Sequence, residues 1–299
     1  MPRQAGRSTL AWRRASEPLA LAAALMMGAT AALAGPPERV VSINLCTDQM
    51  AMLLAAPGQL VSVSRIAADR HVSAMADQAA GYPLNHGQAE EVYRLAPDLV
   101  LAGPFTSRYT VGLLRRLGVE VRELPLVERL EDIPDRLMQM AHWLGREATG
   151  RAAVAEFEAG LALLRAELAP TAGATPPRAV LHYANNYTSG IHTLAHQILI
   201  TAGFANIAAE AGLEGGGTLP MERLLMLAPD LVIAGQAYPG QTRAEAVLDH
   251  PAMRGLRAHH ARGTMADAEW VCGTPHVLGA LARLVALHPQ LAPHEGEGG

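Results

Sequence analysis

Lysine is absent from this chain: all 24 basic residues among its 299 are arginine. Set against 28 acidic residues they leave a net charge of -4. No segment gathers them into a basic stripe, which argues against nucleic acid as a partner. Cysteine occurs only twice, as Cys46 and Cys272, so a dense disulfide framework is excluded and at most one bridge can form. Aromatic residues make up only 4% of the chain, so their placement carries information. Beyond the N-terminus no apolar run reaches the ~20 residues that a bilayer-spanning helix needs. What is abundant is aliphatic: half of the chain is hydrophobic. That is ample for two domains, since one core usually serves roughly 100–200 residues.

Residues 1–34 have the texture of a signal peptide. Arg3, Arg7, Arg13 and Arg14 supply a positive start, an apolar run follows from Leu19 to Leu33, and Ala32-Leu33-Ala34 is a small-x-small cleavage site. The expectation is cleavage after Ala34, export to the periplasm by ordinary secretion, and a soluble mature chain beginning at Gly35.

The chain repeats itself. Glu90-Glu91-Val92-Tyr93-Arg94-Leu95-Ala96-Pro97-Asp98-Leu99-Val100-Leu101-Ala102-Gly103 recurs as Glu222-Arg223-Leu224-Leu225-Met226-Leu227-Ala228-Pro229-Asp230-Leu231-Val232-Ile233-Ala234-Gly235. Each copy reads as a short helix, a Pro-Asp turn and a buried strand ending at glycine. The uninterrupted apolar strand suits a parallel sheet covered on both faces. Strands are predicted at Arg39–Ile43, Leu60–Ser64 and from Val119. Helices are predicted at Gln49–Ala56 and Val111–Leu117, the latter closed by Gly118. Residues 35–127 therefore form an N-terminal α/β lobe. Residues 170–299 repeat the alternation as a C-terminal α/β lobe. Its strand is at Arg178–Tyr183, and its helices lie at Thr193–Ala202, near Arg243–Asp249, and at Val277–Leu287. Between the lobes, residues 128–169 carry apolar side chains at helical spacing and read as one long or interrupted linking helix. The predicted class is α/β: two doubly wound lobes joined by a long inter-lobe helix, with a ligand cleft between them.

The opening Arg39-Val40-Val41-Ser42, the doubled Glu…Leu-x-Pro-Asp-Leu-Val phrase and the helix between the lobes together resemble the periplasmic iron-siderophore, haem and vitamin B12-binding proteins. These are the substrate-binding components of type II ABC importers. The resemblance spans about residues 38–290. It implies a ligand in the interlobe cleft, a stiff hinge that allows modest closure, and one glutamate per lobe docking on arginines of a permease dimer. By position in the phrase these are Glu90 and Glu222. The alternative is that both are ordinary helix N-terminal carboxylates favoured by the macrodipole.

Ligands of open α/β sheets bind beyond the carboxyl ends of the strands. The candidates there are Asn44, Cys46 and Thr47 after the first strand, Arg65 after the second, and His86 before the first repeat. Phe105, Arg108 and Tyr109 follow the first repeat strand. In the second lobe come Tyr183, Asn185 and Tyr187, then Tyr238 and the Trp270–Cys272 segment. Six aromatics at strand ends suit a large, flat, partly apolar ligand. Arginines suit ligand carboxylates or phosphate. A disulfide between Cys46 and Cys272 would require Cα atoms within about 7 Å, and it would tie the lobes together against a capture cycle. Burial of each as a small apolar side chain is the plainer expectation. Free thiols with His86, His182 or His192 would suit a soft metal. His259, His260, His288 and His294 lack ligand spacing and read as surface. Gly215–Gly217 lacks the Gly-Lys-Ser/Thr ending of a phosphate loop and reads as a flexible turn.

The functional expectation is a monomeric solute-binding protein with no cofactor of its own, whose ligand brings any cobalt or iron. A corrinoid stands first, haem and ferric siderophores next. The alternatives are a metal-ion-binding protein, a ligand sensor, or a chelatase-like enzyme. For the last there is no nucleophile–base phrase, dinucleotide fingerprint or HExxH motif in support.

Overall fold

The structure is a computed structural model that describes residues 35–168, 175–234, 251, 261–264, 267–288 and 291. Residues 1–34, expected as a signal peptide, Tyr238, the helix expected near Arg243–Asp249, His259, His260 and His294 lie outside the described residues. Among the described residues no helix is long and apolar enough to cross a membrane.

The first lobe is a five-stranded parallel sheet of β1 (Val40–Ser42), β2 (Leu60–Ser64), β3 (Leu84–Asn85), β4 (Leu99–Ala102) and β5 (Glu120–Glu123). The strand order is β3-β2-β1-β4-β5, with α1 (Leu45–Leu54), α2 (Ala76–Ala79), α3 (Ala89–Arg94) and α4 (Arg108–Arg116) as crossovers. The two-residue period of β4 sorts its side chains between two cores. Leu99 and Leu101 face one, while Val100 and Ala102 join Val92, Val111 and Leu114 in the other.

The second lobe contains β6 (Arg178–His182), β7 (Tyr187–Ser189), α7 (Leu194–Thr201), β8 (Ala205–Asn206), α8 (Ile207–Glu210), β9 (Gly216–Thr218), α9 (Met221–Leu227), β10 (Leu231–Ala234) and β11 (Ala261–Thr264). Its parallel sheet runs β11-β10-β6-β8, and β7 pairs with β9 as an antiparallel ribbon. Gly216 and Gly217 thus lie in a strand, which corrects the expectation of a flexible turn.

The doubled phrase has a structural meaning at the foot of each sheet. The Asp98 carboxylate accepts the backbone N–H groups of Glu38 and Arg39, and the Arg39 guanidinium donates to the carbonyls of Leu95 and Ala96 at the end of α3. In the second lobe Asp230 accepts from the Arg178 N–H, and the Arg178 guanidinium reaches the carbonyls of Leu227 and Ala228. Ala96 and Ala228 both take positive φ, 47° and 44°. Each phrase is a clasp: an arginine at the start of the lobe's first strand satisfies the orphan carbonyls of the helix that precedes the repeat strand.

The linking segment is a helical hairpin. α5 (Asp132–Leu144) ends at Gly145, whose φ of 66° closes the helix in the left-handed region. α6 (Glu147–Leu168) then runs back alongside it. Arg165 near the end of α6 pairs with Glu131 at the start of α5 at 2.9 Å, and Gly150 leaves room for Ala141. At 22 residues α6 is about 33 Å long. The final helix α10 (Val277–Leu287) packs on both α6 and α7. One apolar core therefore runs without a break from Val40 and Leu54 through Leu137, Phe157 and Leu161 to Leu181, Ile198 and Leu281.

Candidate functional site

The carboxyl ends of both sheets point toward a slot between the lobes with a volume of about 470 Å³. The first lobe contributes Phe105, Leu126, Val127 and Glu128. Opposite stand Tyr183, Tyr187, Ser189, His192, Thr193, Trp270 and Val271. Phe105 is 83% exposed at the rim, whereas Trp270 is 3% exposed at the base. An aromatic chain builds the second wall: Tyr183 lies 6.3 Å from Trp270, edge-on, and 6.3 Å from Tyr187, tilted.

The turn after β6 sets that wall. Asn185 and Asn186 both take positive φ, 58° and 57°, a conformation asparagine tolerates better than most residues. The turn is closed by the Tyr183 N–H donating to the Tyr187 carbonyl at 2.9 Å. Gly216 lies directly beneath it, where a Cβ would force the Tyr187 hydroxyl to shift. Asn206 bonds the Ser189 carbonyl and approaches His196 Nδ1 at 3.1 Å. Burial, and then the neighbouring His192, hold His196 below the usual imidazole range, so it is neutral near pH 7.

Of the residues expected in the cleft, Phe105, Tyr183, Tyr187 and Trp270 line the slot. Others are placed elsewhere. Asn44 is the N-cap of α1, accepting from the N–H groups of Cys46 and Thr47. Thr47 is fully buried and bonds Ser42 Oγ at 2.8 Å. Helix α1 begins earlier than expected because this Asn cap intercepts its first amides. Arg65, Arg108 and Tyr109 are exposed and do not border the slot. Nearby, Arg70 pairs with Asp77. His86 pairs with Glu91 at 3.2 Å. Asn185 is exposed on its turn. His182 is buried on β6, with Nε2 3.1 Å from Asn186 Oδ1. His288, expected on the surface, is buried against Phe204 and meets the Gly203 carbonyl.

The cysteines overturn the expectation of two separate buried thiols. Cys46 and Cys272 form a disulfide with Cα atoms 5.1 Å apart. Cys272 adjoins Trp270 and Val271 at the slot, so the bond joins the lobes beside the cleft. Leu126, Val127 and Glu128 were missed from the sequence. They lie just beyond β5, and applying the strand-end rule to that strand as well would have found them.

The sequence profile of the periplasmic binding protein family matches residues 40–262. The chain belongs to the periplasmic binding protein family. Among its relatives is the cobalamin-binding protein of Halobacterium salinarum, 27% identical over 200 residues, which are 67% of this chain and 54% of that one. The chain thus spans about half the length of the curated relatives it matches. A periplasmic haem-binding protein from Pseudomonas aeruginosa superposes with a TM-score of 0.71 at 24% identity, covering 86% of this chain and 94% of that one. The periplasmic vitamin B12-binding protein of Vibrio cholerae gives 0.66 at 20%, covering 86% and 98%. These likenesses carry the two-lobed α/β fold.

Proposed function

We propose that the chain captures a corrinoid in the periplasm and delivers it to an ABC importer. The observation that carries this reading is the chemistry of the slot. Its walls are mostly aromatic and aliphatic, Glu128 and His192 also border it, and among the described residues that line it there is no arginine. Haem propionates or a catecholate siderophore would want a guanidinium partner, because a buried or half-buried anion without one is costly. A corrin fringed with neutral amides asks for flat apolar walls and a few hydrogen-bonding groups, which Ser189, Thr193 and the tyrosine hydroxyls supply. The open rim at Phe105 and Val271 lets a ligand larger than the slot project from it. The relatives named for cobalamin or vitamin B12 point the same way.

The test is a titration of purified protein with cyanocobalamin, haemin and a ferric siderophore panel, followed by absorbance and calorimetry. Cyanocobalamin is expected to bind tightest. Preference for haemin or a siderophore overturns the ligand, and binding to none of them overturns the capture role.

Glu90 on α3 and Glu222 on α9 are both exposed and stand at equivalent places in the two lobes. The neighbouring Glu91 is engaged by His86. In this reading the two glutamates dock on the permease. Glu90→Ala and Glu222→Ala should abolish transport and leave cyanocobalamin affinity unchanged, and lost affinity would count against docking.

A further inference from the structure

We propose that the Cys46–Cys272 disulfide is a permanent staple that fixes the aperture of the cleft, so that ligand exchange proceeds through a preformed slot without a swing of the lobes. This goes beyond the binding role and depends only on the two-lobed architecture. Cys46 sits in the first turn of α1, in the first lobe. Cys272 sits in the loop before α10, in the second, 226 residues away. Three further contacts reinforce the same spot. Thr274 Oγ1 donates to Gln49 Oε1 at 3.3 Å, and both residues are fully buried. Gly273 packs so closely on Val127 that a Cβ would collide with it. Gly160 on α6 makes room for Leu278 on α10. Because Val127 and Val271 border the slot, any opening about α6 has to stretch the covalent bond beside it.

The two sulfurs differ in a way that makes the bond a lock rather than a switch. Cys272 is 1% exposed within the shared core, whereas Cys46 is partly exposed. An external thiolate can reach only Cys46 Sγ. Attack there forms a mixed disulfide on Cys46, breaks the S–S bond and sends the electron pair to Cys272 Sγ. That thiolate would be born among apolar side chains, where a charge is poorly tolerated. The easier route releases Cys46 as thiolate at the N-terminus of α1, but it requires attack on the shielded sulfur. In the route through Cys46, a second thiolate from the reductant must then release Cys46 from its mixed disulfide, completing the two-electron reduction.

Two measurements on the protein without ligand test this, so failure to bind cyanocobalamin leaves them standing. The first is the rate of reduction of the wild-type bond by dithiothreitol, read by thiol alkylation and mass spectrometry. Reduction of the native protein is expected to run about tenfold or more slower than in urea. Equal rates, or free thiols at the outset, overturn the lock. The second places p-acetylphenylalanine-linked spin labels at Leu117 and Met226, both exposed and on opposite lobes. The lobe-to-lobe distance distribution should be narrow in the wild type and broader in the C46S/C272S variant. Identical distributions overturn the fixed aperture. Should that variant not fold, the wild-type distribution decides: a broad one overturns the proposal and a narrow one sustains it.

Discussion

Among the described residues, Asp48 is one whose burial shapes the pH response. It lies on α1, fully buried, accepting from the Ser64 N–H at 3.1 Å and paired with the Ser64 hydroxyl. Burial outweighs those hydrogen bonds and raises its pKa to about 6. The folded chain therefore holds this proton more tightly than the unfolded chain, where the carboxyl titrates near 3.8. The stability this supplies is complete below about pH 4 and is lost as pH rises through 6, amounting to about 3 kcal/mol at most. The D48N variant should lack that loss. Urea unfolding from pH 4 to 8 should show its stability gaining on the wild type across that window. A constant difference between the two would show that Asp48 does not titrate in this range.

At the scale of elements, the turn between α5 and α6 is the sharpest single dependency. Gly145 has φ of 66° and faces Pro36, which leaves no room for a Cβ. G145A should cost about 1–3 kcal/mol, from left-handed strain and the clash together, read as a lower urea midpoint with an unchanged slope. An unchanged midpoint would mean that the hairpin re-forms around the alanine. Gly145 was legible as a break because glycine interrupts a clear helical period. The antiparallel return was not, since spacing alone does not fix which way the next helix runs. The strand β10 was equally legible from its uninterrupted apolar run, and the helix α10 from its helical periodicity. The doubled Leu-Ala-Pro-Asp phrase was visible as a repeat, but its clasp was not: Asp98 meets the Arg39 amide across 59 residues, a pairing that exists only once β1 and β4 lie side by side. The site divides the same way. Phe105, Tyr183, Tyr187 and Trp270 could be read from strand ends. Asn44 and Thr47 were misplaced because a helix cap and a cleft ligand look alike in sequence.

For the whole molecule the decisive bond is the one between Cys46 and Cys272. Closing a loop of 226 residues restricts the unfolded chain by roughly 5 kcal/mol in the chain-entropy description. Unfolding in urea with the bond reduced should therefore begin at much lower denaturant than with it intact. A loss below about 1 kcal/mol would assign the stability to the shared apolar core alone. Direction of synthesis adds a consequence. The α1 thiol is made first, and its partner follows 226 residues later. Throughout that interval Cys46 remains open to mispairing, and correct oxidation records that both halves have been made and brought together.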